Sequence, residues 1–179
     1  MKDNAFGVRQ IVTGLDENGR SVILSDSPAP HVAYLNESGS CALAELWRTG
    51  AAPSPAQAPD LVREPYEIMP PAGGTALRII RFPPEAEMGR VTEPPIDTSG
   101  AVYAGADNPI HPGMHKTRTI DYAIVLSGEI WAIVEKGEVL MHPGDVLIHR
   151  ATWHSWANRS NAPCVVAFVL IDVEENQVA

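Results

Sequence analysis

From Asp121 onward the apolar positions fall in short runs, each closed by a glycine or a polar turn. Asp121 to Leu126 ends in Ser127-Gly128-Glu129, Ile130 to Val134 in Glu135-Lys136-Gly137-Glu138, and Val139 to His142 in Pro143-Gly144-Asp145. Val146 to His149 is followed by Arg150-Ala151-Thr152, and His154 to Asn158 by the turn Ser160-Asn161-Ala162-Pro163. Cys164 to Val173 then reads as a longer, fully buried strand. Strands at this spacing with almost no helical period predict an antiparallel sandwich or barrel.

The amino-terminal half carries the same signal more loosely. Arg9 to Thr13, the turn residues Leu15 to Gly19, and Ser21 to Leu24 predict a β-hairpin. Val32 to Leu35 and Cys41 to Trp47 read as further short strands, although Ala42 to Trp47 also fits a turn or two of helix. Pro53, Pro55 and Pro59 exclude a helix from Ala51 to Asp60 and make it an extended connector. Thr75 to Phe82 is a compact strand stopped by Pro83-Pro84. Glu85 to Pro112 has little periodicity and reads as a long loop of the kind that forms lids and rims. The expected organisation is one domain. Residues 1–84 are strands and a proline-rich connector that complete the sheets, 85–112 a proline-rich loop, and 111–173 the core motifs.

Composition narrows the function. The 179 residues carry a net charge of −9, which leaves no basic surface for nucleic acid or an anionic membrane. No run approaches a membrane span and the first ten residues lack a signal-peptide core, so a cytoplasmic setting is expected. Cys41 and Cys164 stand far apart with no Cys-x-x-Cys partner and read as reduced, packed thiols. There is no phosphate-cradling glycine loop and no Gly-x-Ser-x-Gly elbow.

Asp121-Tyr-Ala-Ile-Val-Leu-Ser-Gly128 resembles the acidic end of the first cupin motif, His-x-His, three or four residues, Glu, six residues, Gly. Gly137-x5-Pro143-x-Asp145, followed by His154-x3-Asn158, resembles the second motif. The resemblance implies an all-β, antiparallel jelly-roll barrel with an N-terminal strand-rich extension, and a divalent metal (Fe, Mn, Zn or Ni) in its mouth. It puts Asp121 in the glutamate position and His154 in that of the second-motif histidine. Counting back four residues from Asp121 places the paired histidines at Met114 and Lys116, with His115 between them. Either a one-residue bulge turns His115 inward or the pair is lost.

Two imidazoles and a carboxylate on converging strands make a facial triad with open positions for substrate and water. The expected metal ligands are therefore His115, Asp121 and His154, with His111 as a further ligand. Asp121 and His154 are also the catalytic candidates, able to exchange protons as base and acid. Tyr122, Trp131 and Trp156 are expected to give the cavity aromatic walls, and Lys116 and Arg150, with Arg118, to hold an anionic substrate group. His142 and His149 are read as structural, and His31 has no assigned role. The expected function is a metal-dependent enzyme performing lyase or isomerase chemistry on a small oxygenated hydrophobic, aromatic or carbonyl substrate, since the broken histidine pair departs from the dioxygenase pattern. An Fe(II)-dependent dioxygenase and a non-catalytic ligand-binding module are the alternatives. A homodimer is the expected assembly.

Overall fold

The computed structural model describes residues 6–90, 96–105 and 107–174. The expected hairpin is present as β1 (Arg9–Leu15) and β2 (Ser21–Pro28). Its turn is fixed by Asp16, whose carboxylate accepts the backbone N–H groups of Asn18 and Arg20, each at 2.8 Å. Then follow β3 (Val32–Tyr34), β4 (Ala42–Thr49), β5 (Tyr66–Glu67), β6 (Thr75–Phe82), β7 (Ile96–Asp97) and β8 (Ala101–Tyr103). The carboxy-terminal half contributes β9 (His115–Thr117), β10 (Thr119–Ser127), β11 (Ile130–Val134), β12 (Gly137–Met141), β13 (Val146–Arg150), β14 (His154–Ala157) and β15 (Cys164–Asp172).

Among the described residues these strands make two main antiparallel sheets, ordered β13-β10-β15-β6-β4-β3 and β12-β11-β14-β9-β8. The architecture is the antiparallel two-sheet arrangement that the strand pattern predicts and is consistent with the jelly-roll that the resemblance implies, with β3, β4 and β6 from the amino-terminal half completing the larger sheet. No helix of the described residues is long and apolar enough to cross a membrane.

One open choice is decided and one expectation is corrected. The segment from Ala42 to Trp47, which also fits a helix, is strand because both of its faces are covered: Ala42, Ala44 and Leu46 pack with Phe6, Ala29 and Val32 on the outer side. The stretch from residue 85 to 112 is not all loop, since β7 and β8 lie within it. Strands of two or three residues leave no periodicity to read, and β8 exists only because β9 pairs with it.

The inner faces are zoned. At one end Val125, Ile130, Met141, Val166 and Phe168 form the apolar core, with Ile80, Phe82 and Trp156 against it. At the other end the inward positions are polar. A bulge between Glu45 and Trp47 in β4 breaks the alternation, so that Glu45 and Arg48, three residues apart, are both buried on the inner side. Across the larger sheet the register runs Arg48, Ala76, Leu170, Asp121, His149 in one row. The adjacent row is Glu45, Arg78, Phe168, Ala123.

Candidate metal and acid–base centre

Arg118 alone separates β9 from β10, and at that residue the chain crosses from one sheet to the other. The crossing leaves His115 on the smaller sheet and Asp121 on the larger one. His154, on β14, pairs directly with His115, while His149, on β13, pairs directly with Asp121. The ring of His154 therefore lies 4.2 Å from that of His115 and 3.7 Å from that of His149, centroid to centroid. Tyr103, paired with His115 across β8 and β9, stacks on it at 5.5 Å. Trp156, on the same face of β14 as His154, meets that ring edge-on at 6.3 Å.

The hydrogen bonds fix which nitrogen of each ring is free. Nδ1 of His115 donates to the Gly113 carbonyl at 2.9 Å, and Nδ1 of His154 donates to the Thr152 carbonyl at 3.0 Å. A carbonyl only accepts, so both rings carry their proton on Nδ1 and leave a bare Nε2. Nδ1 of His149 is tied to the Thr152 hydroxyl at 2.8 Å, a bond compatible with either tautomer, and its Nε2 has no hydrogen-bond partner among the described residues. Burial, reinforced by the neighbouring rings, pushes His149 down to about 4 and His154 down to about 3, and burial also lowers His115. All three are neutral at pH 7.

Asp121 is 6% exposed, and its Oδ1 is enclosed without a hydrogen-bond partner. Burial pushes its carboxyl up to about 6, with the Thr119 hydroxyl and the Arg78 guanidinium pulling the other way.

The donor chemistry fits a divalent ion: three neutral imidazoles with free Nε2 atoms, oriented through Nδ1, and a carboxylate with an orphan oxygen. The spacing is contracted. Imidazoles sharing an ion at about 2.1 Å from each nitrogen have centroids about 5 Å apart, whereas these rings are packed more closely. As they stand, no three His, Cys, Asp or Glu side chains among the described residues are arranged to hold a metal. Ligation would require the rings to part by about 1 Å.

The family model for the cupin domain matches residues 102–172, which carry the whole of this centre except Arg78, Glu45 and Arg48. Over 181 aligned residues the chain is 30% identical to the cupin-domain-containing oxidoreductase srdD of Neurospora crassa, covering 96% of this chain and 80% of that protein. The chain belongs to the cupin superfamily. A second relative is the cupin-domain-containing oxidoreductase fogC of Aspergillus ruber, 26% identical over 92% of this chain and 72% of that one. Among solved structures, the cupin domain of Schizosaccharomyces pombe Cnp3 superposes with a TM-score of 0.47 and 14% identity, over 92% of this chain and 88% of that one.

Within this cupin the motif residues fall differently from expectation. His115 needs no bulge. Its direction is set on its own strand, since the chain changes sheets at Arg118, and with three intervening residues instead of four the histidine positions of the motif fall on His115 and Thr117. Thr117 is buried and exchanges a hydrogen bond with Thr119 at 2.7 Å. Of the expected triad, His115 and His154 are packed together, while Asp121 lies on the other sheet, paired with His149.

His111 does not join it. Its Nδ1 accepts from the Gly113 N–H at 3.1 Å and from the Ser155 hydroxyl at 2.6 Å, so its Nε2 carries the proton and donates to Glu85 at 2.9 Å. With both nitrogens engaged, and Ser155 alternating with His154 along β14, His111 fastens the rim from outside. Tyr122 alternates with Asp121 and Ala123 and is 39% exposed on the outer face. Trp131 packs outside the smaller sheet with Met114, Ile133 and Ala157, under the Arg159 guanidinium at 5.0 Å. Lys116 and Arg150 line a separate surface groove of about 900 Å³ with Ile120 and Ile148. Of the expected aromatic and cationic lining, only Trp156 borders the centre.

His149 was expected to be structural, yet it shares the inward face of β13 with Leu147, two residues before it, which packs against the core. Arg78 offered a second overlooked signal. It is a charge placed between Ala76 and Ile80 on the core-facing side of an apolar strand.

Proposed function

We propose that this cupin is a metal-dependent enzyme of oxidoreductase type acting on a small oxygenated molecule in the mouth of the barrel. The carrying observation is the packing of three imidazoles, His154 between His115 and His149, with the buried Asp121 paired to His149 across the larger sheet. The expectation of lyase or isomerase chemistry rested on a missing histidine. His149 supplies a third imidazole from another strand, and both full-length relatives are named as oxidoreductases. A bound Fe, Mn, Zn or Ni ion would supply Lewis-acid polarisation of a substrate oxygen and, for a redox-active metal, electron exchange. The chain's own part is to keep the imidazoles uncharged at neutral pH and to hold a carboxyl near 6 that can take a substrate proton. Trp156 gives the interior an aromatic side against which a planar substrate can lie.

A cytoplasmic homodimer is part of the same proposal. Two free, buried thiols support a reducing setting, and Ile11, Leu15, Ile23 and Leu24, all exposed on the hairpin, support pairing with a second copy.

Elemental analysis of protein purified without chelator tests the reading. Near-stoichiometric metal in the wild type, lost in folded His149→Ala and His154→Ala variants, is the expected result. Metal-free wild-type protein, or metal retained after both substitutions, would overturn it.

A further inference from the structure

The larger sheet buries a second constellation next to the histidines. Glu45 is fully enclosed, and Arg48 and Arg78 are nearly so. Arg78 Nη2 donates to Glu45 at 3.2 Å and to the Glu67 carbonyl at 3.1 Å, while its Nε lies 3.2 Å from the other Glu45 oxygen. Arg48 stands 3.7 Å from Glu45 and donates to the Glu67 carbonyl at 2.9 Å and to the Met69 carbonyl. Buried ion pairs of this kind are poor sources of stability, because desolvation offsets the attraction. Their value lies in what they hold in place.

What they hold is one edge of a guanidinium. Nη2 of Arg78 is anchored by two hydrogen bonds and Nε is enclosed 3.2 Å from a Glu45 oxygen without a hydrogen bond, whereas Nη1 has no partner and is not among the enclosed orphan atoms. Arg78 is 4% exposed, so the open space that Nη1 meets is the interior, on the face that also carries Asp121. The charge acts on two groups of the centre, Asp121 and Tyr103. The Tyr103 hydroxyl is also without a hydrogen-bond partner among the described residues, and its ring is stacked on His115. Arg78, on the wall, and Tyr103, at the half-exposed rim and stacked on His115, thus flank the histidine centre, each with a donor that bonds to no described residue.

We propose that Arg78 Nη1 and the Tyr103 hydroxyl form an oxyanion subsite, so that the substrate is an organic acid or phenol held as its anion with its reacting carbon before the histidines. This deepens the enzyme reading and rests on it. An anchored arginine suits the task because it cannot lose its charge and has little freedom left to lose on binding. A neutral isostere would leave the donor pair unmet, which discriminates more strongly than a difference in apolar contact.

The test titrates metal-free and Zn(II)-loaded protein with benzoate, 4-nitrophenolate and benzamide, followed by calorimetry and Trp156 fluorescence. At least ten-fold tighter binding of an anion than of benzamide is expected in both forms, with benzoate or 4-nitrophenolate showing which oxyanion the site prefers. The paired substitution Glu45→Gln with Arg78→Met removes both charges together and should erase the preference. Tyr103→Phe, at the half-exposed rim, should narrow it several-fold without disturbing the fold. Equal binding of anions and benzamide by the wild type overturns the subsite, as does a preference unchanged in both variants. Metal content is scored separately. An anion preference in protein that takes up no metal would sink the metal reading and leave the subsite standing, and bound metal without the preference would do the reverse.

Discussion

Gly128 shows what a single motif position demands. It ends the acidic motif between β10 and β11 with φ +73°, and a Cβ there would fall 2.5 Å from the Pro163 carbonyl oxygen and 2.8 Å from Cys164 Cα. Gly128→Ala is therefore expected to cost about 2 kcal/mol or more, read as a lower urea midpoint at unchanged slope. Positions of this kind were legible because one residue and its spacing carry the requirement. Asp121 and His154 were legible for the same reason. His149 and Arg78 were not, because their roles depend on which face of a strand turns inward. A period of two gives two answers until a partner strand chooses between them. Tyr122, Trp131, Lys116 and Arg150 failed on the same point, since nearness in sequence to a site residue puts alternate neighbours on the far side of the sheet.

At the scale of elements, the strands after Asp121 could be read from their turns, while β7 and β8 could not, being held by pairing that no local pattern announces. The asparagine that closes the second motif works at this scale. Asn158 Nδ2 donates to the Phe82 carbonyl at 3.0 Å and to the Ala162 carbonyl at 2.8 Å, and its Oδ1 accepts from the Ser160 N–H at 3.1 Å and hydroxyl at 2.7 Å. It ties the end of β6 to the turn before β15 and is remote from the histidines. Asn158→Ala should lower stability by about 1–3 kcal/mol, from the loss of the hydrogen bonds this buried side chain makes, with metal content unchanged. Calorimetric melting and elemental analysis of the same sample check both halves of that statement.

The whole molecule inherits a pH dependence from its centre. His149 and His154 titrate at 6.5 in the ordinary state and at about 4 and about 3 when folded, so between pH 6 and 4 the unfolded chain takes up two protons that the folded one refuses. Asp121 runs the other way, from 3.8 up to about 6, and returns one proton to the folded side. The balance is one proton in favour of the unfolded state, with His115 adding in the same sense. Chelator-treated protein should lose about 1.4 kcal/mol per pH unit as pH falls through that window, measurable as urea midpoints at each pH. The origin of the three rings bears on how the molecule is made. His115 comes from β9, His149 from β13 and His154 from β14, and the crossing at Arg118 puts them on two different sheets. No local segment can assemble this pocket early in folding. It comes into being only when the long-range pairings close, so its occupancy would serve as a signal of completed folding.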